Sequence, residues 1–299
     1  MPSVVVLGSL HLDYLVHVPY IPHKGETLKG ENLQVQPGGK GANQAYYAAM
    51  QGATTHMIGR VGDDAMGEMQ INALAQVGVN VERIRKDANA RSGMSVAMID
   101  DDSDYGAVIV SAANMQVTRA DVDEAAELIA GSDCLVMQYE IPLDTVLYAA
   151  RLARKRGVKV VLNAAPAYPN PEIVAETDLL IVNEIEAEML LGIPAGTPDD
   201  TLSRLKALTS PAMRVVTLGS AGLVFATSDD AGFIPSHQVK VKDAHGAGDC
   251  FVGSLVARLA DGDTLRQAVL YGNAAAAVSV THSGPRSLVT PESVIKLLG

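Results

Sequence analysis

The stretch DAHGAGDCFVGSL, residues 243–255, places a carboxylate between a glycine-rich turn and an apolar run. Glycines let the backbone approach a ligand closely, and the start of a helix presents unpaired N–H groups that bind phosphate. The pattern therefore indicates an anion hole formed by the backbone N–H groups of Gly246 through Asp249, with the Asp249 side chain placed to accept a proton from an attacking hydroxyl. The alternative is a plain helix start that Asp249 only caps.

A second glycine-rich stretch, PGGKGANQA at residues 37–45, precedes another predicted helix. It lacks the GxxxxGK[ST] pattern of a Walker A loop, and no GxGxxG dinucleotide fingerprint occurs in the chain. Lys40 and Asn43 offer hydrogen-bond donors suited to vicinal hydroxyl groups. A tight turn with a solvated lysine is the alternative interpretation of this stretch.

Short β-branched runs alternate with helical patterns along the chain, which indicates a parallel sheet buried on both faces. The runs are VVVLG (4–8), THMIGRVG (55–62), CLVMQYE (134–140), VKVVLNAAP (158–166), LLIVNE (179–184) and RVVTLG (214–219). Among the helical patterns, Thr118 with Asp121 resembles a capping box. We therefore predict an α/β fold, doubly wound, with a mostly parallel central sheet and flanking helices. In such sheets ligands bind outside the carboxyl ends of the strands.

Two segments, residues 14–39 and 91–113, break this alternation. They contain strand-like pieces and turn residues with little helical periodicity, which predicts a small antiparallel β sheet. Because both segments interrupt the α/β pattern, and the first ends in a glycine-rich run, we interpret them as a lid over an active site. Residues 1–299 are then expected to form a single α/β domain with this lid.

Composition excludes several classes of protein. The chain has 23 Lys and Arg against 34 Asp and Glu, a net charge of -11, which disfavours nucleic acid as a partner. The chain has no run of about 18 consecutive apolar residues, which a membrane span would need, and its first residues lack the basic stretch of a targeting signal. Cys134 and Cys250 have neither disulfide nor metal-site spacing. We expect a soluble, cytoplasmic protein.

Six stretches together resemble the ribokinase-like carbohydrate kinases, of the phosphofructokinase-B type. In chain order they are GSLHLD (8–13), PGGKGANQA (37–45), MQYEIPL (137–143), IVNEIEAE (181–188), TLGSAG (217–222) and DAHGAGDCFVGSL (243–255). They occur in the order and spacing of that family, and the resemblance covers essentially the whole chain. GGKGAN and GAGD are the family's own signatures.

The resemblance implies an ATP-dependent kinase that phosphorylates a sugar hydroxyl. Asp249 would be the general base, and the backbone of Gly246, Ala247 and Gly248 would be the anion hole. The implied sugar-binding residues are His11, Asp13, Gly39, Lys40, Asn43 and Glu140. Asn183 and Glu186 would hold phosphate and hydrated Mg²⁺, because Mg²⁺ keeps several waters. Thr217, Gly219, Gly222 and Asn273 would line the nucleotide, with helix packing as the alternative role of Asn273.

The acceptor is the least determined part of this expectation. The motifs are most similar to those of the family members that phosphorylate ribose, which implies conversion of D-ribose to D-ribose 5-phosphate. His11 stands where those enzymes usually have Asn, and imidazole is bulkier than a carboxamide. Deoxyribose, a ketohexose, a sugar acid or a nucleoside therefore stays open as the acceptor. So does a non-catalytic sugar-binding protein on the same fold, although it would not need Asp249.

The resemblance also implies a site for a monovalent cation, K⁺, beside the anion hole. The matching positions are Asp243, His245, Ser279, His282 and Gly284, and a one-residue deletion brings Ser287 into register. Related proteins often pair through their lids, so we expect a homodimer.

Overall fold

The computed structural model describes residues 1–99 and 105–299 of the chain. The strands in these ranges are β1 (Ser3–Leu7), β2 (His11–His17), β3 (Asn32–Gly38), β4 (Thr54–Gly62), β5 (Asn80–Asp87), β6 (Gly93–Ile99), β7 (Tyr105–Val110), β8 (Cys134–Met137), β9 (Lys159–Asn163), β10 (Leu179–Asn183), β11 (Met213–Thr217), β12 (Gly222–Ala226) and β13 (Ala231–Pro235).

The helices lie mostly between the strands of the alternating pattern. They are α1 (Lys40–Met50), α2 (Ala65–Ala75), α3 (Arg119–Glu124), α4 (Ala126–Ala130), α5 (Leu143–Lys155), α6 (Pro171–Ala175), α7 (Glu184–Leu191), α8 (Pro198–Ala207), α9 (Ala247–Ala260), α10 (Leu265–Ser279) and α11 (Pro291–Leu298). The predicted capping box is present, since the N–H of Thr118 donates to Asp121 Oδ2 at 2.7 Å at the start of α3.

In the described part of the chain, the main sheet has nine strands in the order β13-β12-β11-β10-β9-β8-β1-β4-β5. Strands β11 through β5 of this order are parallel, and β12 and β13 are antiparallel additions at one edge. Val4, Val5, Val6 and Leu7 of β1 are fully buried, as expected for a strand covered on both faces. The predicted doubly wound, mostly parallel fold is confirmed.

The other four described strands form a separate small sheet in the order β3-β2-β6-β7. It lies within the two segments that break the alternation, except that β2 begins at His11, before residue 14; residues 100–104 of the second segment lie outside the described residues. The expectation of a purely antiparallel sheet is wrong in one pair, because β2 and β6 are parallel. Strand β2 follows β1 and strand β6 follows β5 along the chain, and β1 and β5 run in the same direction in the main sheet.

Apolar side chains fill both faces of the main sheet, with α1, α9 and α10 on one side and α5, α7 and α8 on the other. Helices α1 and α9 approach each other closely at Gly253, where a Cβ atom would lie 2.6 Å from the carbonyl oxygen of Gln44 and 2.7 Å from Tyr47 Cβ. This close packing brings the starts of the two helices together. Over residues 1–99 and 105–299, no helix is both long enough and apolar enough to cross a bilayer.

Candidate active site

A cavity of about 270 Å³ lies at the carboxyl ends of the central strands of the main sheet. Asn163, Asn183 and Thr217, the last residues of β9, β10 and β11, contribute to its floor, and residues of the small sheet and of the starts of α1 and α9 contribute to its walls. The residues proposed from the sequence that line it are His11, Asp13, Gly39, Lys40, Asn43, Glu140, Asn183, Glu186, Thr217, His245, Gly246, Gly248 and Asp249. The location is the one expected for a ligand site in an open α/β sheet.

Asp249 lies in the first turn of α9 and is buried. Its two carboxylate oxygens accept hydrogen bonds from amides of α1: Asn43 Nδ2 donates to Oδ2 at 3.0 Å, and Gln44 Nε2 donates to Oδ1 at 3.0 Å. Burial raises the pKa of the Asp249 carboxyl, while the charge of Lys40 and the two amide hydrogen bonds oppose the rise. Two neutral amide groups therefore hold the carboxylate in place, and burial makes it a stronger base than an exposed aspartate.

Lys40, the first residue of α1, faces carboxylates from four different parts of the chain. Burial lowers the pKa of its ammonium group. The negative charges of Asp249, Glu140, Glu186 and Asp13 together raise this pKa by more than burial lowers it, so the net shift is upward. Lys40 is therefore a cation at neutral pH, placed centrally among acidic groups. Such an ammonium suits an anionic ligand that would enter the same cavity.

The turn before α9 supplies unpaired backbone donors. Gly246 has φ = 77°, which only glycine adopts readily, and a Cβ there would lie 2.5 Å from the carbonyl oxygen of Pro285. Among the described residues, the N–H groups of Gly246, Gly248 and Asp249 donate to no protein acceptor, whereas the N–H of Ala247 donates to the carbonyl oxygen of Ala244 at 3.3 Å. Three of the four proposed donors can therefore point to a ligand in this conformation, and Ala247 does not line the cavity.

Most of the residues expected to bind the sugar also line the cavity, among them His11 and Asp13 on β2 and Glu140 after β8. Ser95 Oγ donates to Asp13 Oδ1 at 2.5 Å, and Asp13 packs directly over the backbone of Gly38. His11 is buried, with Nδ1 3.8 Å from Glu140 Oε2, and its Nε2 has no partner among the described residues. Asp13, His11 and Glu140 thus present acidic and imidazole groups along one side of the cavity.

Glu140 is tied to the glycine-rich turn that begins α1. Its Oε2 accepts a hydrogen bond from the hydroxyl of Ser9, and the N–H of Lys40 donates to the same atom at 3.4 Å. Gly41 has no room for a side chain, since a Cβ would lie 2.7 Å from the N atom of Ser9. The GGKGAN stretch therefore packs against the loop after β1 by direct backbone contact.

The residues proposed for the nucleotide divide into two groups. Asn183 and Glu186 cap α7 reciprocally, because Asn183 Oδ1 accepts from the N–H of Glu186 and Glu186 Oε2 accepts from the N–H of Asn183, both at 2.8 Å. Burial raises the pKa of Glu186. Gly219, Gly222 and Asn273 do not line the cavity: the glycines form the turn from β11 to β12, and Asn273 Nδ2 donates to the carbonyl oxygen of Pro235 at 2.9 Å.

The loops proposed to hold K⁺ meet at Asp243. Its Oδ1 accepts from the N–H of His245 at 2.9 Å, and its Oδ2 accepts from the N–H of Gly284 at 2.8 Å. The N–H of His282 donates to the carbonyl oxygen of Ser279 at 3.0 Å, and the Ser287 hydroxyl lies 3.2 Å from the hydroxyl of Tyr47. Of these positions, only His245 lines the cavity.

Several residues of the site had not been proposed from the sequence. Gln44 lies next to Asn43 in the quoted stretch PGGKGANQA, where its neighbour could have pointed to it. Ser95 and Asn163 have no local signal, since each lines the cavity only because of its place on β6 or β9. Arg286 lies behind the lining of the cavity, where its Nε donates to Asn43 Oδ1 at 2.9 Å. Burial lowers the pKa of Arg286 to about 10, and it remains a cation at neutral pH.

Known proteins are similar to this chain in sequence and in fold. Residues 1–292 match the pfkB family carbohydrate kinases. The ribokinase of Haemophilus influenzae is 37% identical over 290 residues, which cover 96% of this chain and 95% of that protein. A deoxyribokinase of Salmonella typhi is 32% identical over 293 residues, covering 95% and 94%. The structure of Arabidopsis thaliana ribokinase complexed with ribose and ATP is similar with a TM-score of 0.91 and 29% identity, covering 99% and 98%.

The match over nearly the whole chain agrees with the cavity at the carboxyl ends of the strands, with its acidic wall and glycine-rich turns. The chain therefore belongs to the pfkB family of carbohydrate kinases and is an ATP-dependent sugar kinase.

Proposed function

We propose that this kinase phosphorylates D-ribose to D-ribose 5-phosphate with Asp249 as the general base. The observation that carries the proposal is the position of Asp249: a buried carboxylate at the first turn of α9, in the same cavity as Lys40, Asn43 and Glu140. The relatives named as ribokinases support ribose as the acceptor.

Asp249 would remove the proton from the sugar hydroxyl as that oxygen attacks the γ-phosphate of ATP. A general base works best when its pKa lies near the working pH, and burial raises the pKa of Asp249 in that direction. The unpaired N–H groups of Gly246, Gly248 and Asp249 would stabilise negative charge on the transferred phosphoryl group. Base and anion hole thus come from one helix start.

The sugar would lie between the small sheet and the start of α1. Asp13 and Glu140 can accept hydrogen bonds from sugar hydroxyls, and Lys40 and Asn43 can donate them. A pocket of paired donors and acceptors rejects an acceptor that lacks one hydroxyl, because the buried partner is then left unpaired. We infer that His11 contributes to this selection through its contact with Glu140.

The nucleotide would enter at the ends of β10 and β11. Asn183 and Thr217 line that part of the cavity, and we propose that Gly219, Gly222 and Asn273 shape it from outside. ATP as a substrate, together with two free buried cysteines, fits our expectation of a cytoplasmic enzyme.

Two cations are part of the proposal. Glu186 has one carboxylate oxygen engaged in the helix cap and the other without a hydrogen bond among the described residues, which fits a hydrated Mg²⁺. When bound, Mg²⁺ supplies charge neutralisation at the phosphates. We also propose K⁺ at the loops that meet at Asp243, from the matching positions His245, Ser279, His282, Gly284 and Ser287.

The test is an ADP-release assay with Mg·ATP against ribose, deoxyribose, fructose, other pentoses, sugar acids and nucleosides. We expect ribose to have the highest kcat/KM. Deoxyribose is the second candidate, because His11 replaces the usual Asn and a deoxyribokinase is among the relatives. A higher kcat/KM for deoxyribose or a nucleoside would show that the acceptor is not ribose.

A second assay, with tetramethylammonium in place of K⁺, tests the proposed monovalent-cation site. An unchanged rate would refute activation by K⁺.

A further inference from the structure

The loop after α10 carries Arg286, which has no role in the reaction proposed above. The hydroxyl of Tyr47 on α1 donates to the carbonyl oxygen of Pro285 at 3.1 Å, and the N–H of Ser287 donates to the same hydroxyl at 3.0 Å. The residues on both sides of Arg286 are therefore bound to one buried side chain of α1. This anchors the backbone from which Arg286 extends.

The guanidinium of Arg286 bonds to both ends of the GGKGAN stretch. Its Nη2 donates to the carbonyl oxygen of Gly38 at 3.1 Å, and its Nε donates to Asn43 Oδ1 at 2.9 Å. The guanidinium carbon lies 5.8 Å from the centre of the Tyr46 ring, within the range of a cation–π contact. Two directed hydrogen bonds and the ring restrict the group to one orientation.

The bond to Asn43 determines which way its carboxamide faces. A guanidinium only donates hydrogen bonds, so it selects the oxygen of Asn43 and leaves the NH₂ group for the neighbour on the other side. That neighbour is Asp249, whose Oδ2 accepts from Asn43 Nδ2 at 3.0 Å. The reversed amide would place its oxygen against the carboxylate and its NH₂ group against the guanidinium, and both contacts would be repulsive.

Charged or titratable groups surround Asp249 from several elements: Asp13 on β2, Lys40 on α1, Glu140 after β8, Glu186 on α7, His245 before α9 and Arg286 after α10. Lys40 acts on Asp249 by charge, but it makes no hydrogen bond that orients Asn43 among the described residues. Arg286 is the group that does.

We propose that Arg286 is a positioning residue for the phosphoryl transfer: by holding the oxygen of Asn43, it keeps the carboxamide donating to the base Asp249 and ties the loop after α10 to the turn before α1. The inference rests on the proposed function, because it requires Asp249 to be the base. It concerns a residue of this chain that lies behind the lining of the cavity, since Arg286 itself does not line it.

The first test replaces Arg286 by Met, which keeps a long unbranched side chain but removes the charge and the hydrogen-bond donors. We expect kcat to fall roughly 10- to 100-fold, because a misoriented base costs rate, while the KM for ATP stays within about twofold. The control is Arg119→Met, the same substitution at an exposed arginine. Arg119 also stacks on a tyrosine, 5.5 Å from the centre of the Tyr148 ring, but it lies outside the cavity, so its removal should leave kcat unchanged.

A double-mutant cycle separates positioning from a general structural role. If Arg286 acts through Asn43, the change Arg286→Met should lower kcat several-fold less in an Asn43→Ala background than in the parent. Equal losses in both backgrounds would overturn the proposal. So would an Arg286→Met enzyme that melts like the parent and keeps the parental kcat.

Two further variants keep the outcome interpretable. If Arg286→Met does not fold, Arg286→Lys decides: it retains the charge but cannot make both bonds, so a parental kcat would contradict the proposal. Asp249→Asn tests the proposed function separately. If Asp249→Asn lowers kcat at least about 100-fold while the Arg286 variants keep parental kcat, only the positioning role is wrong; if Asp249→Asn retains full kcat, the proposed base is wrong.

Discussion

At the scale of single residues, the site is a balance of buried charges. Lys40 is a lone ammonium among Asp13, Glu140, Glu186 and Asp249, and the net effect of burial and charge raises its pKa. For Asp249, burial dominates and raises the pKa despite Lys40 and two amide donors. A carboxyl group whose pKa is raised is, in its ionised form, a stronger base than a surface aspartate.

The substitution Asp249→Asn removes the base and keeps the shape of the side chain. We expect kcat to fall about 10²- to 10⁴-fold, with ATP binding and the fold retained. Single-turnover rates, ATP titrations and melting curves would measure the three quantities. A variant with near-parental kcat would contradict the role of Asp249.

The pH dependence of the parent follows from the same residue. Because the base must be ionised, kcat/KM should decline as pH falls through the raised pKa of Asp249, at a higher pH than for an ordinary aspartate. Its pKa in the folded state lies above that in the unfolded state, so the ionised carboxylate costs stability, and this cost disappears as pH falls. Asp249→Asn removes this cost of burying a charge.

At the scale of elements, the site is formed by the starts of helices α1, α7 and α9 and by the ends of strands of the main sheet. Helix α9 begins at a glycine in the left-handed region, and this places its first N–H groups at the cavity. The contact of Gly253 with α1 sets the distance between Asp249 on α9 and the amides of Asn43 and Gln44 on α1. A shift of either helix would separate the base from its donors.

The substitution Gly246→Ala tests the start of α9. The new Cβ would lie 2.5 Å from the carbonyl oxygen of Pro285 in a backbone with φ = 77°, so the turn must move. We expect a kcat at least about 10-fold lower, since small displacements of reacting groups are costly, and a loss of about 1–2 kcal/mol of stability from the positive φ.

Gly262→Ala is the matched control at the other end of the same helix. Gly262 has φ = 99°, but a Cβ there meets no atom within 4 Å. In melting experiments the Gly262→Ala variant should lose about as much stability as Gly246→Ala, and it should keep the parental kcat. Equal kcat values for the two variants would show that the contact with Pro285 does not position the anion hole.

At the scale of the whole molecule, the small sheet covers the cavity on one side and presents apolar residues to solvent on the other. Leu33 and Val35 on β3 and Val108 and Val110 on β7 are all exposed, whereas Asp13 and Ser95 on β2 and β6 line the cavity. An exposed apolar sheet face favours association. We propose that two copies pair through their small sheets, and that the small sheet acts as the lid.

Replacing both Leu33 and Val108 by Lys should disrupt this pairing, because two charges would be buried in the interface of the dimer. Sedimentation equilibrium should give a dimer for the parent and a monomer for the double variant. Ile295→Lys is the control, since Ile295 is similarly exposed but lies on α11. A monomeric parent at micromolar concentration would contradict the dimer.

The sequence by itself determined what depends on local chemistry: the alternation of buried strands and helices, the capping box at Thr118, and the glycine-rich turns around Lys40 and before Asp249. Each is encoded by residues within one turn or one strand, where steric and hydrogen-bond preferences act over a few neighbours. The short stretches also carried the resemblance to the sugar kinases. Most residues proposed from them line one cavity.

Only the tertiary structure decided which distant residues meet. The parallel pairing of β2 with β6 joins strands that are far apart in the sequence, and the places of Ser95 and Asn163 follow from sheet order. Arg286 is separated from Asn43 by 243 residues, and nothing near either one signals their hydrogen bond. Long-range contacts of this kind depend on how whole helices and loops pack, so no local pattern records them.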